Sequence, residues 1–404
     1  MKVTIICQCA TNKGDRAIAE FLIEKIKRKY GQNVDIVLSS SNKKMWNNID
    51  GIRTINTGFP NFINKDKNKL FYYIYRIFYK IFLHILFPSV LRQKKSFIQK
   101  MFSRKFIKEI SSSDLVIITG GHHITSIREK NCLFDVTYDI SLSYLYAKKY
   151  VLWSQTIGPL VFNDKAKKLF ESIFNHADRI FIRDETSIET LNKIYPNNNF
   201  KISKTEDTVF GYQSMISLLK GREREKKVGV AVFDGSKLGI ENSQYILKML
   251  EIFVKNGYAV EFFKMEYHNM ETEIINEIIN QLPKDSNTKV FEFSHTSLEH
   301  INEVSTCQYF IGYKTHSIIM ALTTNTPLIA IAYHKKTFDF MKKFGLEHFC
   351  VFDNQLNNVD FEGAVQELID SHDVIEEKEE KVSRQLSLKI NTDFDDYLDN
   401  VKND

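Results

Sequence analysis

The 404-residue sequence predicts an α/β protein with two Rossmann-like domains whose parallel sheets face a cleft. Three observations carry that expectation. Short β-branched runs alternate with longer amphipathic segments, the pattern of βαβ units. The rhythm restarts near Lys227, after a polar stretch that contains KGREREKK. The length also exceeds what one hydrophobic core usually serves.

In the first half, strands are expected at Val3–Cys7, Val34–Leu38, Asp114–Thr119, Tyr150–Trp153 and Arg179–Ile182, with helices including Asp15–Lys29, Asp164–Asn175 and Thr186–Ile194. The second series has strands at Val228–Phe233, Ala259–Lys264, Lys289–Phe293, Tyr309–Ile311 and Leu328–Ala332. Helices at Ser243–Asn256, Met270–Gln281, Ser297–Val304 and Ser317–Thr323 separate them. The implied division is 1–217, a linker at 218–227, 228–371, and a helix or tail at 372–404. That tail either crosses back over the first domain or lies as a surface helix. In such sheets ligands bind beyond the carboxyl ends of the strands, so the loops there should hold the chemistry.

Hydrophobic residues at 43% and charged residues at 26% describe an ordinary folded protein. The five cysteines (Cys7, Cys9, Cys132, Cys307 and Cys350) form no disulfide or zinc framework, which favours a reducing compartment. The chain enters a strand at once, without a secretion signal, and a cytoplasmic location is expected. The net charge of +5 is unevenly spread: residues 61–110 hold twelve basic residues against Asp66 and Glu109. Within that insertion lies the apolar, aromatic Leu70–Leu91, with Arg76, Lys80 and His84 on one helical face. Crossing a bilayer would bury that stripe. Two readings remain: an amphipathic helix at a membrane surface, or a helical insertion packed on the first domain or on a partner subunit. Nucleic acid is not expected as a partner, because the aromatics form a dense stripe rather than spaced stacking platforms.

Four loops follow expected strands in the first half, and a fifth segment, Glu206-Asp207-Thr208-Val209-Phe210, closes the first domain. Asn12-Lys-Gly14-Asp15 opens a helix, where Gly14 permits close backbone approach and Asp15 can cap. Its amides suit an anion, or the loop is a simple cap. Thr119-Gly120-Gly121-His122-His123 suggests backbone contact with a ligand and imidazoles for phosphate or proton transfer, without a third residue for a metal. Ser154-Gln155-Thr156-Ile-Gly158-Pro159 offers neutral hydrogen bonds suited to sugar hydroxyls. In Arg183-Asp184-Glu185-Thr186-Ser187, Arg183 either meets an anion or pairs locally, and Asp207 is either structural or a base. In the second half, Lys314, His316 and Lys335 stand at the ends of adjacent strands.

Taken in order, Asn12-x-Gly-Asp15, Gly120-Gly121, Gln155-x-Ile-Gly-Pro159, Arg183-Asp184-Glu185-x-Ser187, Asp207-x-Val-Phe210, His316 and Tyr333-x-Lys335 resemble the polysaccharide pyruvyl transferase family over roughly residues 3–345. The resemblance implies a GT-B-like fold and phosphoenolpyruvate as donor substrate, with no further cofactor and no metal. It also implies formation of a pyruvate ketal on two hydroxyls of one sugar in a surface glycan or its lipid-linked precursor. On that basis His316 and Asp15 would be catalytic, and Arg183, Lys314, Lys335, Gly120, Gly121 and His122 would bind the donor. Asn12, Gly14, Gln155 and Thr156 would face the acceptor. The chain departs from the family pattern at His122, where a small residue is common, and at Lys314, where arginine is common. Lysine lacks the bidentate fork of arginine. Two other functions fit the same fold class: a nucleotide-sugar glycosyltransferase, for which no ribose-binding acid stands out near Lys314–Leu328, and a non-catalytic scaffold of a glycan-synthesis complex.

Overall fold

The computed structural model describes residues 1–7, 11–57, 69–101, 103–126, 135–216, 224–233, 243–267, 269–333 and 335–403. Cys9, Lys65, Lys67, Cys132, His334, most of the polar stretch 218–227 and the side chains of Arg76 and Lys80 lie outside the described residues. The chain forms two compact units: one of residues 1–10, 18–207 and 393–404, the other of residues 11–17 and 208–392. The division therefore falls at 207/208 instead of within the polar stretch, and the first loop groups with the second unit.

The first unit contains β1 (Lys2–Cys7), most of α1 (Lys13–Tyr30), β2 (Asp35–Ser40), β3 (Ile52–Asn56), α2 (Lys69–Leu91), α3 (Lys95–Met101) and α4 (Arg104–Ser112). It continues through β4 (Leu115–Ile118), β5 (Gly121–Ile124), α5 (Asp135–Tyr146), β6 (Tyr150–Ile157), α6 (Asp164–His176), β7 (Arg179–Ile182), α7 (Glu185–Ile194) and β8 (Ile202–Lys204). The strands pair in parallel in the order β3-β2-β1-β4-β6-β7-β8, with β5 also on β6. Helices cover central strands such as β4, so its LVII run is buried throughout. Cys7 is buried in β1. One face of α2, with Leu83, Leu86, Phe87 and Val90, joins the core formed by β4, β6 and α6.

The second unit contains the first turn of α1, a 3-10 turn at Thr208–Tyr212, α8 (Gln213–Ile216), β9 (Glu225–Ala231), α9 (Ser243–Lys255), β10 (Ala259–Phe263) and α10 (Asn269–Gln281). Then come β11 (Thr288–Phe291), α11 (Ser297–Val304), β12 (Cys307–Gly312), α12 (Thr315–Thr323), β13 (Leu328–Ala332), α13 (Lys335–Lys343), β14 (Cys350–Phe352), α14 (Phe361–Asp370) and α15 (His372–Asn403). This sheet is also parallel, in the order β11-β10-β9-β12-β13-β14. Its order reverses between β9 and β12, which makes the carboxyl ends of those strands the topological switch point where such folds bind ligands.

The last helix is shared. Residues 372–392 of α15 belong to the second unit, where Glu376 pairs with Arg224 at 2.8 Å. Residues 393–403 belong to the first, where Phe394 packs on Trp153 and Tyr397 donates to Asp178 at 2.9 Å. Among the described residues, no helix is long and apolar enough to cross a membrane.

Candidate functional site

In the second unit a pocket opens at the switch point. It is lined by Asn12, Phe233, Met265, Glu266, Lys314, Thr315, His316 and Tyr333. Phe233 follows β9, Met265 and Glu266 follow β10, the Lys314–His316 segment follows β12, and Tyr333 follows β13. The doubly wound order thus brings four separate loops to one place. The cavity measures about 70 Å³, room for about five waters at roughly 10–15 Å³ each.

Its wall beside Asn12 comes from the start of α1. Asn12 caps that helix: its Oδ1 accepts from the amides of Gly14 at 2.9 Å and Asp15 at 3.4 Å. Asp15 therefore lies inside the first turn and is not the cap expected for it. Short antiparallel pairing fixes the segment to the end of β10. Lys13 N–H donates to Met265 O at 2.9 Å, and Tyr267 N–H donates to Thr11 O at 3.1 Å. The Lys13 ammonium is wholly buried and donates to the carbonyls of Phe293 at 2.7 Å and His295 at 2.8 Å. Sequence reasoning passed over Lys13, and only its burial distinguishes it from a surface lysine.

Gly14 lies against His316. A Cβ on Gly14 would overlap Cγ and Nδ1 of the imidazole and stand 2.5 Å from its Cβ. Absence of a side chain at position 14 is therefore what lets the His316 ring lie against this backbone. His316 is itself half-buried in the first turn of α12. That helix starts on Lys314, whose side chain cannot accept from the first-turn amides. The 3-10 turn that follows Asp207 packs against α12 from within the same unit.

Lys314 is nearly buried. Its Nζ lies 2.8 Å from Glu266 Oε1 and 2.6 Å from Glu271 Oε1, and 5.7 Å from the centre of the Phe233 ring. Glu271 also accepts the amides of Met265 and Glu266, each at 2.8 Å. Burial raises the Glu271 carboxyl above its usual range, and Lys314 opposes that shift. Neither glutamate stands out in the sequence. Phe233, Tyr333 and Tyr313 stack side by side, with Phe233 and Tyr333 at 4.6 Å and 9°. Lys335 is exposed at the start of α13.

The remaining sequence candidates lie in the first unit, and most have structural partners there. Gln155 and Thr156 are not in a loop, because β6 runs on to Ile157. The Gln155 amide donates to the carbonyls of Ile118 at 3.0 Å and Thr119 at 2.9 Å, stitching β6 to β4 and correcting its expected place facing an acceptor. Thr156 Oγ1 accepts from Arg183 Nε at 2.9 Å, and the Arg183 guanidinium forms a buried ion pair with Asp207. The pairing alternative thus describes Arg183, and the structural alternative describes Asp207. In the same motif Asp184 caps α7 through Ser187 N–H at 2.9 Å, and Ser187 Oγ accepts from Ile157 N–H at 2.7 Å. Gly120 is required by close packing, since a Cβ there would overlap Ser154 O and stand 2.9 Å from Trp153 O. Gly121 has φ +143° and a Cβ there would overlap the His123 ring, so close packing and backbone conformation call for glycine at both positions. His122 is exposed, with Nε2 hydrogen-bonded to Gly158 O. Among the described residues, no three His, Cys, Asp or Glu side chains gather as a metal-binding group.

Solved structures share this fold at low sequence identity. UDP-GlcNAc 2-epimerase from Neisseria meningitidis, bound to UDP-GlcNAc, superposes with a TM-score of 0.59 at 9% identity, covering 99% of this chain and 100% of that one. A glycosyltransferase from Rickettsia africae gives 0.53 at 11% identity, over 100% and 98%. These establish a GT-B-like α/β fold of two parallel-sheet domains. A sequence relative, the amylovoran biosynthesis protein AmsJ of Erwinia amylovora, is 21% identical over 318 residues, 72% of this chain and 75% of the relative. The polysaccharide pyruvyl transferase family model matches residues 12–335, from the Asn12 cap to Lys335. That span takes in β2 to β13 and every residue of the switch-point pocket, and the chain belongs to the polysaccharide pyruvyl transferase family.

Proposed function

We propose that the protein transfers pyruvyl from phosphoenolpyruvate to two hydroxyls of one sugar in a surface polysaccharide or its lipid-linked precursor. The observation that carries this reading is the His316 imidazole seated against Gly14 in a small switch-point pocket beside Lys314. Lys314 keeps a third N–H beyond its two carboxylate contacts, and Lys335 adds an exposed cation; both are assigned to the donor.

The chemistry balances with two titrating groups. His316 as imidazolium protonates the enol methylene, turning CH2 into CH3 and leaving positive charge on C2. The first sugar hydroxyl bonds to C2 and gives its proton to Asp15. Phosphate leaves with the C–O bond electrons and takes the proton from Asp15. The second hydroxyl then bonds to C2 and returns a proton to His316. Asn12 and Gly14 flank the acceptor. No ligand role is given to Arg183, Gly120, Gly121, His122, Gln155 or Thr156. The reaction would run in the cytoplasm, at the inner membrane face where lipid-linked acceptors are held.

Incubation with phosphoenolpyruvate and a panel of lipid-linked and nitrophenyl sugars should give pyruvyl addition by mass spectrometry, lost in His316→Ala. Phosphoenolpyruvate should also raise the unfolding temperature. Stabilisation by UDP- or GDP-sugars with none by phosphoenolpyruvate would replace this reading with the glycosyltransferase one. Activity unchanged in His316→Ala would remove His316 from the mechanism.

A further inference from the structure

Among the described residues, the face of α2 opposite the core is apolar and exposed. Ile74, Ile77, Phe78, Ile81 and Ile85 are 41%, 60%, 57%, 49% and 40% exposed. Their spacing of three and four residues sets them in one stripe, while Leu83, Leu86, Phe87 and Val90 hold the other side of the helix in the first unit's core. A helix so anchored presents its outer stripe as a fixed surface. Phe97 on α3, 44% exposed, adds a further apolar side chain. Contiguous exposed apolar area of this kind is unusual on a protein that meets only water.

The charge of the segment narrows what covers the stripe. From residue 69 to residue 108 there is no Asp or Glu. Arg92, Lys94, Lys95, Lys100, Arg104, Lys105 and Lys108 are all exposed. A second copy seated on this face through a two-fold axis would set the same basic segment against itself. An anionic bilayer surface instead accepts the apolar stripe below its headgroups and neutralises the cations.

We infer that α2 and α3 form a membrane-docking face, with Ile74, Ile77, Phe78, Ile81 and Ile85 entering the interface of an anionic bilayer. The surface is independent of the transfer chemistry proposed above. It defines which side chains enter the lipid: the stripe opposite the buried face.

The test is co-sedimentation of the full chain with vesicles of phosphatidylcholine alone and of phosphatidylcholine mixed with phosphatidylglycerol. Binding should favour the anionic vesicles and weaken as salt is raised. Ile77→Ser combined with Phe78→Ser should reduce the partition coefficient about tenfold or more, with unchanged circular dichroism and unfolding temperature because both side chains face outward. Lys94→Glu combined with Lys95→Glu should also weaken binding to the anionic vesicles, without affecting folding. No sedimentation of the wild type with either vesicle would overturn the inference. So would a serine variant that binds vesicles as the wild type does, or one that only dissociates a dimer of a wild type indifferent to lipid. None of these readouts uses phosphoenolpyruvate or a sugar, so the docking face and the proposed reaction fail separately.

Discussion

Gly14→Ala sets two effects against each other. Helix propensity favours alanine by up to about 1 kcal/mol in a helix interior and by less in the first turn. Against it, the new Cβ overlaps two ring atoms of His316 and stands 2.5 Å from its Cβ, where ordinary contact begins at 3.4 Å. The Cβ contact alone requires one side to move by at least about 0.9 Å. The obstructing atoms are the root of the histidine, which cannot swing away like the tip of a long chain. The helix start is held by Asn12 Oδ1 and by the Lys13 amide on Met265 O. Overpacking of this kind costs about 1–3 kcal/mol, so we expect net destabilisation of about 1–2 kcal/mol after the propensity gain. Urea denaturation of Gly14→Ala, His316→Ala and the double variant measures the coupling. His316→Ala removes both overlapping ring atoms but keeps the Cβ 2.5 Å away, so the double variant should recover part of the clash and be about 1 kcal/mol more stable than additivity predicts. Additivity within about 0.5 kcal/mol would show that the two residues do not compete for this space. In a pyruvyl transfer assay the single Gly14 variant should lose about 100-fold, the usual consequence of displacing a reacting group by about 1 Å.

Other substitutions test other parts of the structure. Lys13→Met leaves the Phe293 and His295 carbonyls without their ammonium, and urea denaturation should show a loss of about 2–4 kcal/mol. Asp207→Ala strands the buried Arg183 charge and should cost about 3–5 kcal/mol by the same measurement. His300 and Glu379 are fully buried and impose opposite pH slopes. Burial, aided by Lys13, holds His300 well below its ordinary value, so its contribution is present above pH about 6.5 and is lost as pH falls, by up to about 1.4 kcal/mol per unit. Burial raises Glu379, so its contribution is present below about pH 4.5 and is lost as pH rises. From pH 5 to about 6.5 the two slopes oppose each other, so stability measured from pH 5 to 8 should fall with rising pH across that range in His300→Phe and fall towards acid in Glu379→Gln, and parallel curves for wild type and variants would refute both. Glu266→Gln removes one carboxylate from Lys314 and should tighten binding of inorganic phosphate and phosphoenolpyruvate about tenfold by calorimetry, whereas weaker binding would mean that Glu266 supports the site.

Where the sequence had a strong period, the elements matched closely. The strands Arg179–Ile182 and Leu328–Ala332 and the helix Ser297–Val304 have the same ends in both accounts. β3, β8 and β14 were not anticipated, since short strands at a sheet edge have little apolar pattern of their own. The site was legible at His316, Lys314 and Gly14, because each stands at a strand end or a helix start. Gln155 and Thr156 misled because their polar side chains resemble a loop, yet buried strands also use such groups to satisfy neighbouring carbonyls and guanidinium groups. Glu266 and Glu271 were invisible for the opposite reason. Acidic residues in a polar stretch look like a solvated surface until the fold places Lys314 between them.

Lys314 is the residue where family pattern and geometry meet. A lysine there, where the family commonly has arginine, supplies a compact ammonium that touches Glu266 and Glu271 from one point. A planar guanidinium would spread its donors over a wider fork. With two carboxylates around one ammonium, and Glu271 raised by burial, the cluster does not offer an anionic donor a full free positive charge. Glu271 also accepts the Met265 and Glu266 amides, so it is tied into the segment that holds Lys13 and, through it, the Gly14 contact with His316. Glu266, 36% exposed, is the freer of the two carboxylates and the one a ligand can displace. Donor affinity then depends on how readily Lys314 exchanges Glu266 for phosphate or carboxylate oxygen, while Glu271 keeps the ammonium in place.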